Sequence, residues 1–206
     1  MKEQPKSTEA NIQSLESRMH VRMRPNMYFE KVFAEKSLDR LPLEVACDAI
    51  DKFMSKKCTY LTISIHENHF SIEYDAGISL RRIRPKDDLT KAEAIMTVMF
   101  TCHNLKEHLT VGDQFCEVGM MSINAASEWC TLLTYSDGEK GEFYFKEGKT
   151  ETRSITKSVE KKNYTKITVK PDATIFPDLK INPKTLQKKI DDLKEKMNGL
   201  NIQLHR

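Results

Sequence analysis

Glycine is scarce in this chain: seven in 206 residues, where average usage of about 7% would give roughly twice that number. Loops that wrap a phosphate in backbone N–H groups depend on glycine, so there is little material for them here. The five cysteines (Cys47, Cys58, Cys102, Cys116, Cys130) are odd in number and scattered. No pair has CxxC spacing, so neither a zinc site nor a disulfide frame is signalled, and reduced, mostly buried thiols are expected. No apolar run approaches the ~20 residues of a membrane span. The opening MKEQPKSTEANIQ has no apolar core and no small-residue cleavage site, so the expectation is a cytoplasmic protein with no membrane partner. Neither sign of charge dominates: 33 Lys and Arg stand against 30 Asp and Glu, for a net +3. That balance is no electrostatic footprint for DNA. Arg81, Arg82, Arg84 and Lys86 read as a solvated loop, so direct DNA binding is not expected.

The length suits one well-buried domain, read as residues 12–206 behind a disordered segment, 1–11, with nothing to bury. Leu43, Ala46, Cys47, Ile50 and Met54 recur at helical spacing, which predicts one helix over Leu41–Met54. Glu44, Asp48 and Asp51, at i, i+4 and i+7, then stack along an adjoining stripe. Leu61, Ile63 and Ile65, and after the turn at Glu67-Asn68 the residues Phe70, Ile72 and Tyr74, alternate with polar residues as a β-hairpin does. Thr90 is placed to cap a helix running through Phe100, and residues 101–117 read as an irregular connection. Strands follow at 131–135, 142–146, 152–159 and 165–170. A final helix over 183–199 carries Leu186, Ile190, Leu193 and Met197 as an apolar stripe for the sheet.

Several stretches match a known family in unbroken order. Residues 22–28, RMRPNMY, resemble RKRPGMYIG; residues 90–100, TKAEAIMTVMF, resemble SALEVVLTVLHAGGKF. Residues 118–129, VGMMSINAASEW, resemble GVGASVVNALSEW, and residues 170–176, KPDATIF, resemble KPDPEIF. These are segments of the nucleotide-binding domain of the gyrase B and topoisomerase IV ATPase subunits, in the GHKL superfamily, and the resemblance spans residues 12–204. It implies a two-layer α/β sandwich of the GHKL (Bergerat) type, with a mixed, mainly antiparallel sheet and helices on one face. It also implies ATP or ADP with Mg²⁺ as ligand. Glu44 takes the place of the general base. Asp48 stands where the family has the asparagine that ligates Mg²⁺, and a carboxylate is an acceptable hard ligand there. Asp51 is retained, whereas Lys52 replaces an acid.

Departures cluster at the phosphate end. The family's DNGRGIP reads Asp75-Ala76-Gly77-Ile78-Ser79-Leu80 here. Asp75 holds the place of the aspartate that accepts from the adenine amino group, and Gly77 that of a glycine beside the base. The lid GGLHGVG becomes Asp113-Gln114-Phe115-Cys116-Glu117-Val118-Gly119; only Gly119 survives, and two carboxylates are added near the phosphates. Thr165 matches the threonine near adenine. The expectation is therefore a degenerate ATP-binding domain with weak or no hydrolysis. It would act as a binding module related to type II topoisomerases, with a protein partner for which a topoisomerase subunit is one candidate. The alternative is an active ATPase module of a divergent type II DNA topoisomerase.

Overall fold

Alternation along the strands builds one seven-stranded sheet, seen in a computed structural model that describes residues 16–83, 86, 88–101 and 117–206. The strands are β1 (Tyr60–Ile65), β2 (Phe70–Tyr74), β3 (Ser127–Ser136), β4 (Glu139–Lys146), β5 (Lys149–Lys157), β6 (Tyr164–Pro171) and β7 (Asn201–His205). Their order is β5-β4-β3-β6-β2-β1-β7. Every pairing is antiparallel except β1 with β7. The helices are α1 (Ser17–Met23), α2 (Pro25–Tyr28), α3 (Glu30–Glu35), α4 (Arg40–Val45), α5 (Cys47–Met54), α6 (Lys91–Thr97), α7 (Met120–Ala125) and α8 (Pro183–Lys196). The result is the two-layer α/β sandwich, with a mixed sheet and helices on one face. Segments 1–11 and most of 101–117 lie outside the described residues.

One face of the sheet supplies the core. Leu61, Ile63, Phe70, Ile72, Cys130, Leu132, Phe143, Phe145, Ile167 and Val169 are buried, while the intervening Thr62, Glu73, Thr131, Tyr144 and Lys166 keep solvent contact. An antiparallel sheet tolerates one wet face in this way. Leu186, Ile190, Leu193 and Met197 pack into the same core as expected. Trp129 does not; it is half-buried on β3, tilted against His69 with ring centroids 5.8 Å apart.

Several local readings differ from the sequence expectation, among them the helix capped by Thr90, which ends at Thr97 because Val98 is extended (φ −109°, ψ 126°). The helix over 41–54 is two helices, because the backbone slackens at Ala46 (φ −71°, ψ −5°), so the three acids do not share one straight stripe. Helix α8 stops at Lys196, and Gly199 (φ +99°) turns the chain into β7, an edge strand too short and polar to announce itself. Cys58 and Cys130 are buried, free thiols, and burial pushes both up to about 12. Cys47, however, is disulfide-bonded, a pairing that scattered spacing could not disclose.

Three of the matched motifs meet as a clasp. Arg22, at the end of α1, donates from Nη1 to the Ala125 carbonyl at 2.9 Å and from Nη2 to Asp172 at 2.6 Å. Asp172 in turn accepts from the Thr174 amide and hydroxyl, and its own amide donates to the Ala126 carbonyl at 3.1 Å. The arginine thus ties α1, the last turn of α7 and the segment after β6 together.

The edge strand β5 is held by a second polar tie. Glu93 on α6, 7% exposed, accepts from Thr150 Oγ1 (2.8 Å) and Arg153 Nη1 (3.0 Å), and Arg153 also binds Asp88 at 2.6 Å. Arg153→Ala leaves a buried carboxylate with one neutral donor. It is expected to lower stability by about 1–2 kcal/mol in denaturant unfolding, since the arginine is itself partly solvated. No change would mean that water replaces the guanidinium without loss.

Candidate functional site

The residues singled out by sequence lie on α4 and α5, at the end of β2, at the start of β6 and before α7, and several side chains have specific partners. Glu44, on α4, is only 4% exposed. Its Oε2 accepts from the Val118 amide at 3.1 Å, just before Gly119 caps α7 with a positive φ of 33°. A side chain at Gly119 would meet nothing within 4 Å, so backbone conformation alone calls for glycine there. Asp51, on α5, is 7% exposed.

Strand parity decides what β2 offers. Phe70, Ile72 and Tyr74 point to the helix layer, and all three are fully buried. Tyr74 donates from its hydroxyl to Asp48 Oδ2 at 2.7 Å, and its register partner on β6 is Thr165. Burial and the neighbouring Asp48 charge raise this phenol well above the usual range, so it stays a neutral donor. Asp48, Tyr74 and Thr165 are therefore brought together. Asp75 is the next residue along, and its carboxylate is occupied elsewhere. Oδ1 accepts from the Thr59 and Tyr60 amides at 2.8 and 3.1 Å, and Oδ2 from the Thr59 hydroxyl.

Thr165 donates to the Ala76 carbonyl at 2.7 Å and shares a hydrogen bond with Thr134 at 3.1 Å. Thr134 accepts from the Ile78 amide at 2.9 Å. The two threonines pin residues 76–78 onto the sheet. Gly77 lies so close to β3 that a Cβ there would sit 2.2 Å from the Tyr135 carbonyl oxygen. Beside it opens a cavity of about 230 Å³ lined by Lys52, Lys57, Ala76, Ser79, Ser136, Asp137 and Asn163. Lys52, where the family has an acid, puts positive charge at this mouth. Asp113 lies outside the described residues, whereas Glu117 pairs with Lys31 on α3.

Tyr74, Thr134 and the Arg22–Asp172 clasp were missed as site-shaping residues. For Tyr74 the signal was available, since the alternation that predicts the hairpin also puts Tyr74 on the inward face.

Asp75 gives the site a pH signature. Burial raises its carboxyl, but the Thr59 and Tyr60 donors outweigh that and hold it below the usual range. A depressed folded-state value stabilises the fold above the unfolded value of about 3.9 and loses that contribution as pH falls through the folded one. Asp75→Asn is expected to flatten the fall in stability below about pH 4. An unchanged acid limb in urea titrations would assign that limb to other carboxylates.

Comparison with known proteins gives the same kinship throughout. The chain is 26% identical over 197 residues to the DNA gyrase B protein of Thermotoga maritima, covering 94% of this chain and 30% of that protein. It is 28% identical over 206 residues to the DNA topoisomerase 4 B protein of Bacillus subtilis, covering 98% and 31%. It is 28% identical over 185 residues to the type 2 topoisomerase B protein of Aquifex aeolicus, covering 88% and 23%. The chain thus spans about a quarter to a third of the length of these relatives. Among solved structures, the 43K ATPase domain of Thermus thermophilus gyrase B, in complex with an aminocoumarin, shares the fold. Its TM-score is 0.69 at 22% identity, over 92% of this chain and 49% of that one. No family model matches. Across nearly the whole chain, then, the sequence is similar to the gyrase B and topoisomerase 4 B proteins, and the fold is that of the gyrase B 43K ATPase domain.

Proposed function

We propose that this domain is a nucleotide-silent relative of the type II topoisomerase ATPase domains, kept as a binding module for a protein partner. Kinship points to a type II topoisomerase subunit as that partner. One observation carries the reading: the carboxylate in the adenine-binding place, Asp75, is filled by the Thr59 and Tyr60 donors.

Magnesium nucleotide does not fit these surroundings on this reading. The Asp48 oxygen nearest the sheet accepts from a phenol, and among the described residues no group of three or more His, Cys, Asp or Glu could hold a metal ion. The glycines that would let backbone N–H groups approach phosphates are replaced, and Asp113 and Glu117 add repulsion. Gly77 answers to the packing of β3, not to a ligand.

Titration calorimetry with ATP and with ADP, each with Mg²⁺, tests this. Neither is expected to bind more tightly than about 1 mM. Micromolar binding of either would refute the reading. The alternative, an active ATPase module, is favoured by Glu44, which remains buried against the start of α7. A general base with no bound phosphate to serve supports no turnover, so the silent reading is preferred.

A further inference from the structure

We infer that Tyr74 is the resident occupant of an aromatic slot between α5 and the sheet, and that this one side chain excludes planar ligands from that slot. The inference deepens the silent reading above and rests on it for its biological meaning. Its geometry stands alone. The ring enters from β2, where parity directs it inward with Phe70 and Ile72, and it is fully enclosed. One end of the slot is a hydrogen-bond acceptor, Asp48 Oδ2, at 2.7 Å from the phenol oxygen. Across from Tyr74 on β6 stands Thr165, itself buried.

A slot of this description is complementary to a flat aromatic ring that carries one O–H or N–H donor, such as a phenol, an indole or an aminopurine. The protein satisfies it internally. Any such ligand would have to displace a fully buried ring and break its hydrogen bond to Asp48, a bond that the ligand's own donor could only replace, so entry is disfavoured. The exclusion is therefore built into one residue of β2 and does not depend on the loop that precedes α7.

Removing the occupant should open the slot. Truncating a large buried side chain leaves a cavity that collapses only in part, and one with an acceptor at its end suits a ring-sized ligand that carries a donor. The test compares wild type, Tyr74→Phe and Tyr74→Ala by melting temperature with phenol, indole and adenosine added separately at about 10 mM. Tyr74→Ala is expected to gain roughly 3–5 °C with at least one of the three, as a Kd of about 1 mM would give. Wild type and Tyr74→Phe should gain nothing, because their slot is full. A folded Tyr74→Ala that no probe stabilises would overturn the inference, as would a wild type that gains as much. Should the alanine variant not fold, Tyr74→Leu carries the same test with the same outcomes. ATP turnover by the wild type would refute the silent reading whatever Tyr74→Ala does, whereas a ligand-blind Tyr74→Ala refutes only the slot.

Discussion

Arg22→Ala is expected to lower the stability of the domain by about 3 kcal/mol, the cost of breaking a largely buried ion pair. The arginine and Asp172 side chains are 16% and 10% exposed, so water cannot readily replace the lost guanidinium. Asp172 would keep only the Thr174 donors, and the Ala125 carbonyl at the end of α7 would lose its partner. For a chain of this length the melting temperature should fall by about 6–12 °C. The double variant Arg22→Ala/Asp172→Ala should be less damaged than the sum of the two single changes, because it removes the stranded carboxylate as well. Strict additivity would mean that the pair does not act as a clasp.

Gly77→Ala is expected to be comparably damaging, again about 3 kcal/mol, at the upper end for overpacking. The new methyl group would lie 2.2 Å from the Tyr135 carbonyl oxygen and 2.8 Å from Ser136 Cβ. Both belong to the end of β3, which Thr134 and Thr165 bind to residues 76–78, so little can yield. Gly138→Ala is the control. That turn glycine has φ +79° and nothing within 4 Å of an added Cβ, so it should cost only about 1 kcal/mol of backbone strain. A Gly77→Ala variant as stable as wild type would mean that the glycine serves a ligand and not the packing of β3.

The hairpin, the inward face of the sheet and the stripe on α8 were legible because apolar periodicity reports burial directly. Leu61, Ile63, Phe70 and Ile72 fall where alternation puts them. The break between α4 and α5 at Ala46 was not legible, since neither proline nor glycine marks it. Nor was β7, whose alternation in NIQLH is too brief to separate from a loop. At the site, resemblance drew attention to Asp75, while the period of the strand pointed to Tyr74. Motif spacing says which residue occupies a position in the chain; parity says which way its side chain faces. Where the two disagreed by one residue, the backbone followed parity. The Arg22–Asp172 pair was not legible, because a pairing across 150 residues leaves no local trace.

Whether the domain is silent toward nucleotide is decided by phosphate release from ATP, measured on the purified chain with Mg²⁺ beside Glu44→Ala. Both proteins should release no more phosphate than buffer does. Release by the wild type that Glu44→Ala abolishes would contradict silence, because Glu44 would then be acting on a nucleotide that the occupied carboxylates and the buried Tyr74 should keep out.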